Sequence, residues 1–106
     1  MNPPIKGIKK QVESGRHRFT LHGFERCVER HISPDEVKHV ILSGEIIEEY
    51  PEDKYGPSCL IYGLNQKGRI FHVQCSIDPV WIITAYDPTL QPDKWNKDFK
   101  RRRGAQ

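Results

Sequence analysis

The chain reads as one α+β domain, with two N-terminal helices packed on one face of a four-stranded antiparallel meander sheet. Three observations predict it. A length of 106 residues suits a single modest core. Helical periodicity is confined to the first half, and from Glu45 onward four short runs rich in β-branched and aromatic residues follow one another with only turns between them. Helices followed by a run of strands is the α+β pattern.

Residues 1–18 read as a basic N-terminal segment and 19–103 as the domain, including a basic C-terminal tail. In the first fifteen residues Pro3, Pro4, Gly7 and Gly15 predict at most a short, loosely held helix. Leu21, Phe24 and Val28 then recur at helical spacing behind Thr20, a natural N-cap, and form the apolar stripe of a first amphipathic helix. Ser33 and Glu36 make a capping box, Pro34 occupies the first helical position and Ile32 can staple to Val37, so a second helix starts there. Val37, Val40 and Ile41 supply its buried face, and Gly44 is placed to end it in the left-handed conformation.

The strands are predicted over 46–50, 58–64, 69–75 and 80–86, joined by connections too short to hold a crossover helix, hence the meander. A three-residue turn centred on Asp78 would set His72 opposite Thr84, Gln74 opposite Ile82 and Ile70 opposite Tyr86. After Asp87-Pro88 a short helix is expected around Trp95.

Composition excludes several classes. The 36% hydrophobic and 29% charged content fits a folded, well-solvated domain. No stretch reaches the length of a membrane span, and Met1-Asn2-Pro3-Pro4 leads into lysines without an apolar h-region, so a cytoplasmic location and no membrane partner are expected. Cys27, Cys59 and Cys75 sit inside apolar runs and read as buried reduced thiols. With no CxxC, no HxxxH with a third ligand and no carboxylate cluster at ligand spacing, neither a metal nor another cofactor is expected. A glycine-rich phosphate loop and a GxSxG elbow are also missing, which argues against nucleotide hydrolysis and α/β-hydrolase chemistry.

The net charge of +3 is mild but uneven. Lys6, Lys9, Lys10, Arg16, His17 and Arg18 make one end basic, Lys97, Lys100, Arg101, Arg102 and Arg103 the other, and Glu45, Glu48, Glu49, Glu52 and Asp53 make the middle acidic. Such polarity attracts polyanions to one side, and a pair of solvated tails has the same composition.

Residues four apart on a helix lie nearly above one another, so His22, Arg26 and Arg30 form a ladder that drifts by roughly 40° per step. All three groups bind phosphate. Glu25 and Glu29 lie beside them, and the same residues also read as a solvated face with intrahelical pairs. In the predicted hairpin His72 and Thr84 share a sheet face, where His72 is either functional or a half-buried histidine bonded to a neighbour.

The order of these motifs, a His-x-x-x-Arg-x-x-x-Arg helix, Ile32-Ser33 with a capped helix, Gly44 to Tyr50, Gly68 to Val73, Ile82 to Pro88, Trp95 and the basic Lys100 to Arg103, resembles the family known as domain of unknown function 4258. That family is similar in outline to the RelE-like and BrnT-like toxins of toxin–antitoxin systems. The resemblance implies a metal-independent endoribonuclease, with RNA as substrate and a small antitoxin protein as partner. Gly23 departs from it, standing where relatives more often carry alanine, and is expected to loosen the first helical turn beside His22.

On that reading His22, Arg26, His72 and Thr84 are the catalytic candidates, the histidines moving protons and Arg26 holding the scissile phosphate. Arg30, Tyr86 and the tail residues Lys100, Arg101, Arg102 and Arg103 are candidates for binding substrate, Tyr86 by stacking a base and the tail by sequence-independent attraction to the backbone. The alternative class is a non-catalytic module that docks nucleic acid or protein on the same basic face. A third is a subunit whose exposed sheet edge pairs with a partner strand.

Overall fold

The computed structural model describes residues 3–54 and 56–104; Met1 and Asn2, part of the segment behind the expected cytoplasmic location, lie outside them. The described chain runs α1 (Pro4–Glu13), β1 (Arg18–Phe19), α2 (Leu21–Glu29), α3 (Pro34–Ser43), β2 (Glu45–Tyr50), β3 (Ser58–Leu64), β4 (Ile70–Ser76), β5 (Trp81–Tyr86) and a 3₁₀ turn, Pro88–Leu90. It is α+β, with three helices and a five-stranded mixed sheet in the order β1-β5-β4-β3-β2.

The antiparallel meander of four strands is present, but β1 adds a fifth, pairing parallel to β5 with Arg18 opposite Trp81 and Phe19 opposite Ile82. Two residues leave almost no periodicity from which such a strand could be read. The third helix, α1, is also firmer than its prolines and glycines suggest. Pro4 falls in its first turn, where a missing N–H costs nothing, and Ile8 and Val12 are fully buried. Gln11 then ties it to the sheet's last hairpin, donating to the Ile77 carbonyl at 3.1 Å and accepting from the Val80 N–H at 3.0 Å.

The helix α3 carries the capping box its sequence announces, Ser33 Oγ accepting from the Glu36 N–H at 3.1 Å and Glu36 Oε1 from the Ser33 N–H at 3.0 Å. Ile32, Val37, Val40 and Ile41 enter the core with Ile61, Phe71, Val73, Cys75 and Ile82. Gly44 does not end the helix in the left-handed region: its φ of −96° and ψ of 177° are extended. Closeness explains it better, since a Cβ there would lie 2.6 Å from the Val40 carbonyl oxygen and 2.7 Å from that of Tyr62.

In α2 the apolar stripe does not face the core. Leu21, Phe24 and Val28 are 75%, 50% and 59% exposed, and the helix presents Gly23 and Cys27 to β5 instead. A Cβ on Gly23 would stand 2.3 Å from the Ile82 carbonyl oxygen, so the missing side chain is what lets helix and strand backbones meet. Gly23 therefore fixes the first turn rather than loosening it, and its N–H is held by Thr20 Oγ1 at 2.9 Å.

Between β4 and β5 the register differs by two from the predicted one: His72 faces Tyr86 and Gln74 faces Thr84, while Cys75 faces Ile82. One step comes from a connection one residue longer than assumed, the other from a bulge at Ile83. Because two single slips restore parity, His72 and Thr84 still share a face. No helix forms around Trp95; it lies in an irregular segment and forms an isolated antiparallel bridge with Arg102.

The packing gives a stability contrast. Gly23→Ala is expected to cost about 1–3 kcal/mol, as overpacking does, whereas Leu21→Gln and Val28→Gln should each stay within about 0.5 kcal/mol of wild type. Urea denaturation midpoints measure both, and a Val28→Gln loss as large as that of Gly23→Ala contradicts the outward stripe.

Candidate functional site: the seam between α2 and β5

On the side away from β4, β5 pairs first with β1, and further along its Ala85 carbonyl is taken by the Arg30 side chain at the end of α2. Arg18 donates its N–H to the Val80 carbonyl at 3.1 Å and Thr20 to that of Ile82 at 3.0 Å, after which the chain turns into α2 and runs beside the strand. At the far end Arg30 Nη1 donates to the Ala85 carbonyl at 2.8 Å and to Thr84 Oγ1 at 3.3 Å. The roughly 40° drift of the ladder thus has a structural result. His22 is exposed, Arg26 half-buried, and Arg30, though solvent-accessible, reaches back onto the strand.

His22 opens into a cavity of about 780 Å³ that it lines with Thr20, Lys54, Ser76, Trp81 and Ile83. Arg26 sits one turn along and pairs with Glu29 through Nη1 at 2.7 Å. Arg30 and Tyr86 border a smaller cavity of about 240 Å³ together with Ile32, Arg69, Phe71 and Asp87. The structure therefore joins Arg30 directly to Thr84, places Tyr86 beside Arg30, and leaves His22 and Arg26 further along the same helix, His22 at a separate cavity.

His72 stands apart from them. It is fully buried, and both ring nitrogens are engaged, Nε2 at 2.6 Å from the Phe99 carbonyl and Nδ1 at 3.1 Å from the Tyr86 hydroxyl. A carbonyl only accepts, so Nε2 carries a hydrogen, and Nδ1 of the neutral ring accepts from Tyr86. Burial lowers the His72 pKa below 6.5, more than the hydrogen bond to Phe99 and the nearby Glu48 raise it. The same burial pushes the Tyr86 phenol up to about 12. Trp95 packs edge-on against the imidazole, with ring centroids 4.4 Å apart. Four residues of β4 separate His72 from Ser76 at the His22 cavity, about 13 Å along the strand.

Two residues of the basic tail, Lys100 and Arg102, are folded onto β2, while Arg101 and Arg103 stay exposed. Arg102 lies over the Trp95 ring at 4.7 Å and makes a two-pronged contact with Glu48 at 2.8 and 3.0 Å. Lys100 pairs with Glu45 at 3.2 Å and covers the Tyr62 ring, and Arg101 pairs with Asp98 at 3.4 Å. Arg103 is exposed. Burial alone would raise the Glu48 carboxyl, but the bonds from Arg102 and Tyr50 outweigh it and hold the group low. Lys100 and Arg102 are thus paired with Glu45 and Glu48 in the acidic middle of the same chain.

Among the described residues no three His, Cys, Asp or Glu side chains group as a metal site, and no helix is long and apolar enough to cross a membrane. Cys27, Cys59 and Cys75 are buried. The residues around the His22 cavity that sequence reasoning passed over are Lys54, Ser76, Trp81 and Ile83. Trp81 left a trace, since an aromatic that opens a strand beside a buried Ile82 must point to the opposite face. Lys54 left none, because the β2–β3 loop has no periodic signal.

Fold and seam together define a small α+β domain in which a His–Arg–Arg side-chain ladder lies beside β5 of its sheet. Over residues 19–87 the chain matches the family model described as domain of unknown function (DUF4258), and it belongs to that family. No curated protein and no solved structure shows a significant match to it.

The burial of His72 gives a pH dependence with a definite sign. A histidine whose pKa is lowered on folding binds fewer protons in the native than in the unfolded state, so its contribution is complete above about pH 6.5 and is lost as pH falls towards the folded value. His17, lowered by burial and by Lys38, adds to the same interval. Stability should therefore fall on acidification from pH 6.5, and His72→Gln should be less stable at neutral pH with a shallower fall. An unchanged slope in that variant counts against a neutral, buried His72.

Proposed function

We propose that the chain acts on RNA as a metal-independent endoribonuclease of the toxin type, with the RNA backbone lying along the α2–β5 seam. The observation that carries this reading is Arg30. Its guanidinium has five N–H donors, and two carbonyl and hydroxyl contacts on β5 fix its direction while leaving donors for a phosphate. His22, at the other end of the ladder and beside an open cavity, is the imidazole in a position to exchange protons with a 2′-hydroxyl or a leaving 5′ oxygen. Arg26, between them, adds positive charge where a phosphorane-like transition state gains negative charge, at the expense of its pairing with Glu29. In this reading His72 is a positioning residue that holds Tyr86 and the tail.

One observation favours the second reading, a non-catalytic module that docks RNA in the same seam. Acid–base cleavage divides proton transfer between two groups, and His22 is the one imidazole among the described residues lining its cavity. A small antitoxin protein belongs to the first reading only, and growth arrest on expression, relieved by such a partner, is its signature.

The two readings separate in a cleavage assay combined with a binding assay. His22→Ala should lower cleavage by about a hundredfold or more with RNA affinity and melting temperature near wild type. Arg30→Ala should weaken RNA binding by roughly tenfold and flatten its salt dependence by about one charge. RNA that is retarded but never shortened by wild type establishes the docking module. Wild-type cleavage by His22→Ala removes His22 from the mechanism.

A further inference from the structure

Resting on the RNA reading of the seam, we infer that the cavity beside His22 receives an unpaired nucleobase, stacked on Trp81 and taken with little regard to its identity. The volume of about 780 Å³ falls in the range of small-molecule sites. Trp81 is 39% exposed at its wall, whereas the other tryptophan, Trp95, is 2% exposed and packed beneath Arg102 and against His72. A partly bare indole on a rigid strand is the group on which unpaired bases stack. Ile83, displaced by the bulge in β5, adds apolar surface to the same cavity.

Two of the polar groups lining the cavity, Thr20 and Ser76, already have their hydrogens committed. Thr20 Oγ1 gives its hydrogen to the Ile82 carbonyl at 3.2 Å while accepting from the Gly23 N–H at 2.9 Å. Ser76 Oγ gives its hydrogen to the Pro79 carbonyl at 2.7 Å and accepts from the Trp81 N–H at 2.8 Å. A hydroxyl has one hydrogen, so neither can donate to a base edge. Stacking tolerates any base, because each has a π-face, whereas edge reading needs committed donors and acceptors. His22 belongs both to this cavity and to the ladder, and eight helical residues, about 12 Å, separate it from Arg30. A strand whose base enters at Trp81 therefore has its following backbone over the arginines.

The position of the two tryptophans supplies the experiment. Titrating the full chain with single-stranded oligo(A), oligo(U) and oligo(C) RNA should quench the emission of exposed Trp81, with affinities within about tenfold of one another. Trp81→Phe should keep binding and lose the quench, and Trp81→Ala should weaken binding at least about fivefold. A nucleoside monophosphate, which lacks contacts along the ladder, should bind far more weakly than a strand, and equal affinity overturns the assignment to a base within RNA. Salt-dependent RNA binding with no quench and with wild-type affinity in Trp81→Ala overturns the stacking site and leaves the seam reading intact. Hundredfold preference for one homopolymer overturns the tolerance. Failure of every RNA to bind overturns both readings together.

Discussion

The close approach of Gly23 to β5 is the constraint on which the arrangement of the rest depends. A helix beside a strand normally stands off by the depth of its side chains, but here the strand's carbonyl oxygens occupy the place of a Cβ. The helix axis is drawn towards β5, and Cys27, one turn on, reaches the core. Rotation about that axis is fixed by the same contact. It sends Leu21, Phe24 and Val28 outward and turns His22, Arg26 and Arg30 progressively towards the sheet. The site follows from a missing side chain as much as from the charged ones.

A second constraint acts on the opposite end of the sheet. His72 bonds to the Phe99 carbonyl, Trp95 fills the space beside it, and Arg102 closes over the indole while gripping Glu48. Exposed ion pairs contribute about 0–1 kcal/mol each. The packing of Trp95 and the saturation of His72 therefore hold the tail more than its charges do. The charges set where it lands, since the acidic β2 is the outer strand and offers Glu45 and Glu48. The same glutamates, with a bulge near Ile47, make β2 a poor template for another strand.

Residues whose meaning is local were legible in the sequence. The capping box of α3, the Thr20 cap of α2 and the four-strand meander depend on neighbours within a few positions, and short-range chemistry announces them. What depends on distant partners was not legible. The outward stripe of α2 and the buried one look alike in periodicity, because spacing defines a face but not what covers it. The two-residue change in the β4–β5 register came from one extra residue in the connection and one bulge, neither of which leaves a pattern, yet parity kept His72 and Thr84 on one face. His22, Arg26 and Arg30 were visible as a ladder, but the meeting of Arg30 with Thr84 depends on where α2 lies. The pairing of the tail with Glu45 and Glu48 spans more than fifty residues, and no spacing encodes it.

These constraints leave a particular distribution of accessible surface. One sheet face is closed by α1 and α3, whose Ile8, Val12, Val37, Val40 and Ile41 are fully buried. The other is covered over His72 and Tyr62 by the tail. The outer side of β5 is taken by β1 and, further along, by the Arg30 side chain, and β2 is guarded by acidic side chains. Where α2 meets β5, Arg30 is both anchored and solvent-accessible without being paired to a carboxylate, unlike Arg102 on Glu48 or Arg69 on Asp87. Arg30 shows why anchoring matters there: a guanidinium already directed by Ala85 and Thr84 gives up less freedom on meeting an anion than one on a solvated helix face. The ladder that looked like a solvated stripe becomes a candidate site through that loss of freedom, which the packing of Gly23 imposes before any ligand arrives.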